Sequence, residues 1–233
     1  MAKSKIIKEL ANGVINTTTA LKRAKVLFSE LKNETLLNWV NYEISGYPEN
    51  NPLPDYRILS GKLMGSYFKG SMASHMKWNN VSIPLGNMPE DVVDKLLSVP
   101  LYEGVDALIH LIQQNEKAEG NVGKIIPADL FSAISFYNND PYMIITSAQV
   151  IVGSHHVTNI ITTIENKLLD ALILLENEFG NLDELDIDTS TKTAEEISKL
   201  TKELIVIIYN DQSVNIGDGN RIKDSNIASL IEK

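Results

Sequence analysis

The sequence predicts an α+β fold: a predominantly helical body with a small β-sheet, a long closing helix, and a short C-terminal β hairpin or single solenoid-like rung. Three observations predict it. Between Ser154 and Gly180, Val157, Ile160, Ile161, Ile164, Leu168, Leu172 and Leu175 recur at spacings of three and four, the apolar stripe of one long helix. Two amphipathic segments before Gly46 make a helical hairpin. From Arg57 to Leu85 that period gives way to β-type residues interrupted by Gly61, Gly65 and Gly70.

In chain order, residues 4–15 read as a short helix weakened by Asn12-Gly13. Thr17–Thr19 offer N-caps for the next helix, where Leu21, Ala24, Leu27, Phe28 and Leu31 share a face. Asn33 caps a second, with Leu36, Leu37, Val40 and Ile44 on one side, and Gly46 is placed to end it in the left-handed conformation. "GYPENNPLPDYR" follows, a rigid, exposed, proline-stiffened loop. Short strands occupy about 57–85. A helix with Pro89 and two acids in its first turn begins after Asn87, another covers Val105–Gln114, and Pro127 opens one more. Pro141–Val152 reads as a buried strand or as the run into the long helix, which at about 26 residues would span about 39 Å. An acidic, Ser/Thr-rich linker (181–192) separates the body (1–180) from a C-terminal part (193–233). That part holds a short polar helix, the β run "IVIIY" and the final β element.

Composition narrows the function. The chain has 233 residues, 43% of them hydrophobic, enough for one large domain or one with a small appendage. Its net charge of −9 opposes wholesale coating of nucleic acid. Charge is uneven, however: residues 1–32 carry seven cations (Lys3, Lys5, Lys8, Lys22, Arg23, Lys25, Lys32) against Glu9 and Glu30. Such a basic hairpin suits an internal or intersubunit salt contact, or a modest nucleic-acid or lipid contact. With no cysteine, disulfides, thiol catalysis, Cys-ligated zinc and iron–sulfur clusters are excluded. No signal-peptide core follows the first lysines, and Glu165, Lys167 and Asp170 interrupt the most apolar stretch, so no membrane span and a cytoplasmic location are expected.

No catalytic motif is present. His75, His110, His155 and His156 form neither H-x-x-x-H nor H-E-x-x-H, and the adjacent pair would point about 100° apart on a helix. No Walker lysine, G-x-S-x-G elbow or nuclease spacing occurs. Accordingly no catalytic residue, no metal and no cofactor is expected. One polar and aromatic cluster stands out: Trp39, Tyr42, Glu43, Tyr47, Asp55, Tyr56 and Arg57, astride a helix end and the proline loop. It is a candidate ligand or partner site. The alternatives are that Arg57 pairs with Glu43 or Asp55 to lock the loop, or that Glu43, Asp55, Tyr56 and Arg57 form a nuclease or nucleotide-hydrolysing centre.

The run from Leu21 to Phe68, with "WVNYEISGY" (Trp39–Tyr47), "LPDYR" (Leu53–Arg57) and the glycine-punctuated stretch after it, resembles the AbiTii-domain family of bacterial abortive-infection (phage resistance) proteins. "IENKLLDALILLENE" (Ile164–Glu178) is similar to the family's long closing helix. The resemblance covers roughly 1–180, is specific in its first third, and matches no motif across about 70–140. It implies phage defence in which infected cells stop growing or die, and it carries over no catalytic residue.

The tail, "YNDQSVNIGDGNRIKDSNIAS", looks at first like a phosphate loop. Yet Gly217 and Gly219 lack the third glycine and the helix that a dinucleotide turn needs, and Ile216 sits where an EF-type calcium loop needs Gly. Ile216, Ile222 and Ile227 instead recur at spacings of six and five around an Asp-Gly turn, like one solenoid rung or a small hairpin. A lone rung cannot bury its own face. Val214, Ile216, Gly217, Gly219, Ile222 and Ile227 are therefore expected to drive homo-oligomerisation, or binding of a phage or host protein. The whole reads as a defence protein acting through assembly and binding. Nucleic-acid binding through Lys22, Arg23 and Lys25 is an alternative.

Overall fold

The computed structural model describes residues 3–71, 76–116, 122–140 and 142–209. Contacts divide the chain into two compact units. One takes in Met1–Tyr56, Tyr102–Ile109 and Asn159–Lys233, the other Arg57–Leu101 and His110–Thr158.

The first unit is helical. It contains α1 (Lys5–Ala11), α2 (Thr17–Glu30) and α3 (Glu34–Ser45), and takes its portions of α5 (Val105–Glu116) and α7 (Ser154–Phe179), and α8 (Ala194–Tyr209). α1 stops early because Asn12 and Gly13 follow it, Gly13 at φ +64°. The cap of α2 is Asn16, whose side chain accepts from the Thr19 amide at 2.7 Å, and not one of Thr17–Thr19. Thr17 and Thr18 are drawn inward instead. Their hydroxyls donate to Glu165 of α7 and Asp106 of α5, which satisfies buried groups that a cap would have left facing water. Asn33 caps α3 as its sequence predicts, accepting from Leu36 N at 3.0 Å.

Gly46 ends α3 at positive φ but not in the left-handed helical form. Its φ of +99° and ψ of 156° describe an extended conformation that is essentially glycine's alone, and an added Cβ would lie 2.9 Å from the Tyr102 carbonyl oxygen. The proline loop after it is less exposed than its composition predicts. Tyr47 and Leu53 are buried, and the Tyr47 amide donates to Tyr102 O at 2.7 Å.

α7 is the 26-residue helix that its periodicity requires. Ile160, Ile164, Leu168, Leu172 and Leu175 are at most 1% exposed, and Leu21, Leu27, Phe28, Leu36 and Trp39 join them in the core of this unit. The N-terminal segment is pinned to the far end of α7: Ser4 Oγ donates to Glu176 at 2.6 Å and accepts from the Leu182 amide at 2.9 Å. Beyond Gly180, Leu182 and Ile187 are also buried. Thr193 and Glu196 then form a capping box for α8, with Glu196 accepting from Thr193 N at 2.8 Å and donating its own amide to Thr193 Oγ1 at 3.2 Å. The run "IVIIY" is the end of this helix and not a strand. Leu200, Leu204, Ile205 and Ile208 hold the three-and-four spacing, and burial of that stripe outweighs the β preference of its isoleucines and valine.

The second unit holds the strands. β1 (Ile58–Ser60) pairs antiparallel with β4 (Ser98–Pro100). The larger sheet has the order β3-β2-β6-β5, all antiparallel, from β3 (Met76–Ser82), β2 (Lys62–Lys69), β6 (Ile144–Val152) and β5 (Val122–Ile125). α4 (Glu90–Leu97) and α6 (Phe131–Tyr137) complete it, α6 packing against β6. Register shifts at Ser66/Tyr67 mark a β-bulge beside Gly65, where any Cβ would lie 2.0 Å from the Ser147 carbonyl oxygen. β6 is a strand, but half-buried: Ile145, Ala148, Val150 and Val152 face the core while Ile144, Thr146, Ser147 and Gln149 are exposed.

Among the described residues no helix is long and apolar enough to cross a membrane. The C-terminal β element, with Val214, Ile216, Gly217, Gly219, Ile222 and Ile227, lies outside the described residues.

Candidate functional site

Helical spacing assembles the candidate cluster. Trp39 and Glu43 lie four residues apart on the buried face of α3, and Tyr47 follows four later, just past the turn that Gly46 makes. The Asp55–Arg57 turn brings Tyr56 back to them. Glu43 is 0% exposed. Its Oε1 accepts from the Tyr47 hydroxyl and from the Tyr56 hydroxyl, each at 2.6 Å. The Tyr56 oxygen in turn accepts from Trp39 Nε1 at 2.9 Å. Indole, phenol and carboxylate thus form a relay, half-buried at Tyr56 and buried at Trp39 and Glu43, in which each donor has an acceptor.

Three further groups close around it. Tyr42 lies against Tyr47 with ring centroids 5.2 Å apart, and its hydroxyl accepts from Asn51 Nδ2 at 2.9 Å. Lys167 of α7 sets its ammonium 5.5 Å from the centre of the Tyr56 ring and donates to the Ile207 carbonyl in the last turn of α8 at 3.3 Å. Burial, together with the nearby Glu43 carboxylate and Tyr42 phenol, pushes the Tyr209 phenol up from its ordinary range. A cation at the carbonyl end of α8 also suits the helix dipole.

Of the residues that the sequence singles out, Trp39, Tyr42, Glu43, Tyr47 and Tyr56 come together. Asp55 is exposed. Arg57 is 0% exposed and belongs to the second unit, where its Nη1 donates to Leu101 O at 3.2 Å and its own carbonyl accepts from the Leu101 amide at 3.0 Å. Sequence inspection missed Lys167 and Tyr209. The one available signal was a lysine inside the apolar stripe of α7. Among the described residues no buried side-chain nitrogen or oxygen lacks a hydrogen-bond partner.

His155 and His156 are exposed at the start of α7 with ring centroids 4.1 Å apart, His110 is exposed on α5, and His75 lies outside the described residues. Among the described residues no three acids or histidines gather as metal ligands. In the basic hairpin, Arg23 pairs with Glu9 at 2.5 Å and Lys3 with Glu176 at 2.6 Å, while Lys22 and Lys25 are exposed.

The second unit carries a feature with no sequence signal. Two grooves, of 720 and 580 Å³, flank Phe131 at the start of α6. The larger is lined by Phe136, Met143 and Ile144, the smaller by Ile125, Ser66 and Ser147 on the outer side of the sheet.

A family model named AbiTii matches residues 4–200. No curated protein and no solved structure matches the chain.

Proposed function

The chain belongs to the AbiTii family of abortive-infection proteins, and on that premise we propose that it defends against phage by assembling and by binding a phage or host component, without catalysis. The observation that supports this is the sealing of Glu43. A general acid or base must come within hydrogen-bond reach of the group it serves. Glu43 is 0% exposed, and Oε1 is taken by two phenols, one of which is itself engaged by Trp39. Asp55, the other acid of the group, is exposed in the loop. The geometry favours a lock that holds the loop on the helical hairpin. The apolar spacing of the tail, which cannot cover itself, supports assembly as the working state.

The test is a phage-plating assay on Glu43→Gln and on a chain ending at Tyr209, each paired with measurement of folded protein in the cell. Protection is expected to follow the folded amount for Glu43→Gln and to vanish for the shortened chain although it folds. If Glu43→Gln folds and accumulates normally yet gives no protection, and a nuclease or nucleotide-hydrolysing activity disappears with it, the catalytic alternative replaces this one.

A further inference from the structure

The outer face of the second unit concentrates apolar groups in water. Ile125 is 83% exposed, Phe136 76%, Ile144 58%, Tyr142 57% and Leu130 44%. Phe136 and Ile144 line the larger groove and Ile125 the smaller, and the two grooves share Ala128 and Phe131. Ile125, Phe136 and Ile144 together leave on the order of 400 Å² of apolar surface exposed, within the range of the largest single patch on a monomer.

We propose that this face is where two copies of the chain meet, each inserting Phe136 into the larger groove of the other. Shape, area and charge each favour a second copy as the occupant. A two-fold contact requires a self-complementary surface, and here a ring that is 76% exposed is itself part of the wall of a 720 Å³ groove, so ring and groove lie on the same face. An apolar centre of that size inside a polar rim is the anatomy of a dimer interface that covers about 800 Å² on each partner. A net charge of −9 sets copies against one another. Yet among the described residues the one charged group lining either groove is Asp140, and Lys69 holds it at 3.5 Å, which lowers the like-charge cost of bringing two such grooves together. Ser132, Ser135 and Asn139 supply the uncharged polar contacts that interfaces of this size use.

This interface does not involve the tail, so it goes beyond the reading above and is tested separately from it. Sedimentation of the full chain over a wide concentration range should show a monomer–dimer equilibrium. Phe136→Asp should weaken it by roughly a hundredfold or more, because two rings leave the interface at once and each is worth about tenfold or more. The ring is largely in water within one copy, so the variant should keep its circular dichroism spectrum and melting temperature. Phe136→p-benzoylphenylalanine gives a second readout: on irradiation, a covalent product between copies, mapped to Met143–Ile145, is expected. An unchanged dissociation constant for Phe136→Asp, a wild-type monomer at all concentrations, or photoproducts formed only with a foreign protein would each overturn the proposal. If removing 210–233 dissociates the assembly and Phe136→Asp does not, the tail holds the copies together and this face does not.

Discussion

Replacing Tyr56 by Phe removes one oxygen atom, and the structure places that atom in two bonds. As acceptor it holds Trp39 Nε1 at 2.9 Å, and as donor it reaches Glu43 Oε1 at 2.6 Å. Trp39 is 0% exposed, so its N–H is left buried without that acceptor, at a cost of about 1–3 kcal/mol. Loss of a hydrogen bond to a charged acceptor adds about 1.5–3 kcal/mol. The two share one hydroxyl and do not add fully, so about 2–4 kcal/mol is expected. Tyr47→Phe is the matched comparison. It removes a donor to the same Glu43 oxygen at the same 2.6 Å without orphaning an indole, and should cost about 1–2 kcal/mol less than Tyr56→Phe. Urea denaturation followed by circular dichroism measures both, and a Trp39→Phe cycle in each background isolates the indole contribution. Equal losses for the two tyrosine variants, with no coupling to Trp39, would refute the relay.

Two further predictions concern pH and the backbone. Burial alone would raise the carboxyl of Glu176, but the Lys3 ammonium and the hydroxyl and amide of Ser4 outweigh it and hold the group at about 2. A carboxyl depressed on folding stabilises the chain above its ordinary value near 4.5, and that contribution is lost as pH falls toward 2. The difference in melting temperature between wild type and Glu176→Gln should therefore shrink on acidification through this window and stay constant above it; a constant difference throughout would contradict the assignment. Gly46→Ala meets both a positive φ and the Tyr102 oxygen at 2.9 Å, and is expected to cost about 2–3 kcal/mol. Gly13→Ala, with open space around it, should cost about 1–2 kcal/mol from its φ of +64° alone. Melting temperatures of the two variants give the order, and Gly13→Ala proving the worse would contradict it.

Most of the helical frame was legible because an apolar stripe held at one period over many residues fits a helix and little else. Asn33 and the apolar face of α3 are an example. Short elements were not. β4 and β5 span three and four residues, too few for any alternation to register, and they exist because β1 and β6 supply their partners. Ile205–Tyr209 misled because four β-branched residues and a tyrosine in a row favour a strand locally, while the helix they complete begins eleven residues earlier. Within the cluster, Trp39, Glu43 and Tyr47 were visible at spacings of four. Lys167 was not, since its carbonyl partner on α8 is forty positions away. The grooves beside α6 depend on a bulge and a short helix, and neither leaves a pattern in the sequence.

That lysine bears on how loss-of-function variants should be interpreted. Lys167 joins the Tyr56 ring to the last turn of α8, and Tyr209, the final described residue, sits by Glu43 and Tyr42. The cluster therefore holds the last described turn of α8. A substitution at Glu43 that loosens this turn lowers the amount of folded protein with no chemistry involved, so loss of protection at Glu43 alone does not identify a catalyst. Lys167→Met separates the cases. It keeps an unbranched, apolar stem of similar length while removing the ammonium, and with it the cation–π contact and the bond to Ile207 O among its interactions. If the cluster is a lock, Lys167→Met and Glu43→Gln fall on one line when protection is plotted against folded protein in the cell. If Glu43 is an acid or base, Glu43→Gln alone drops far below that line while Lys167→Met stays on it.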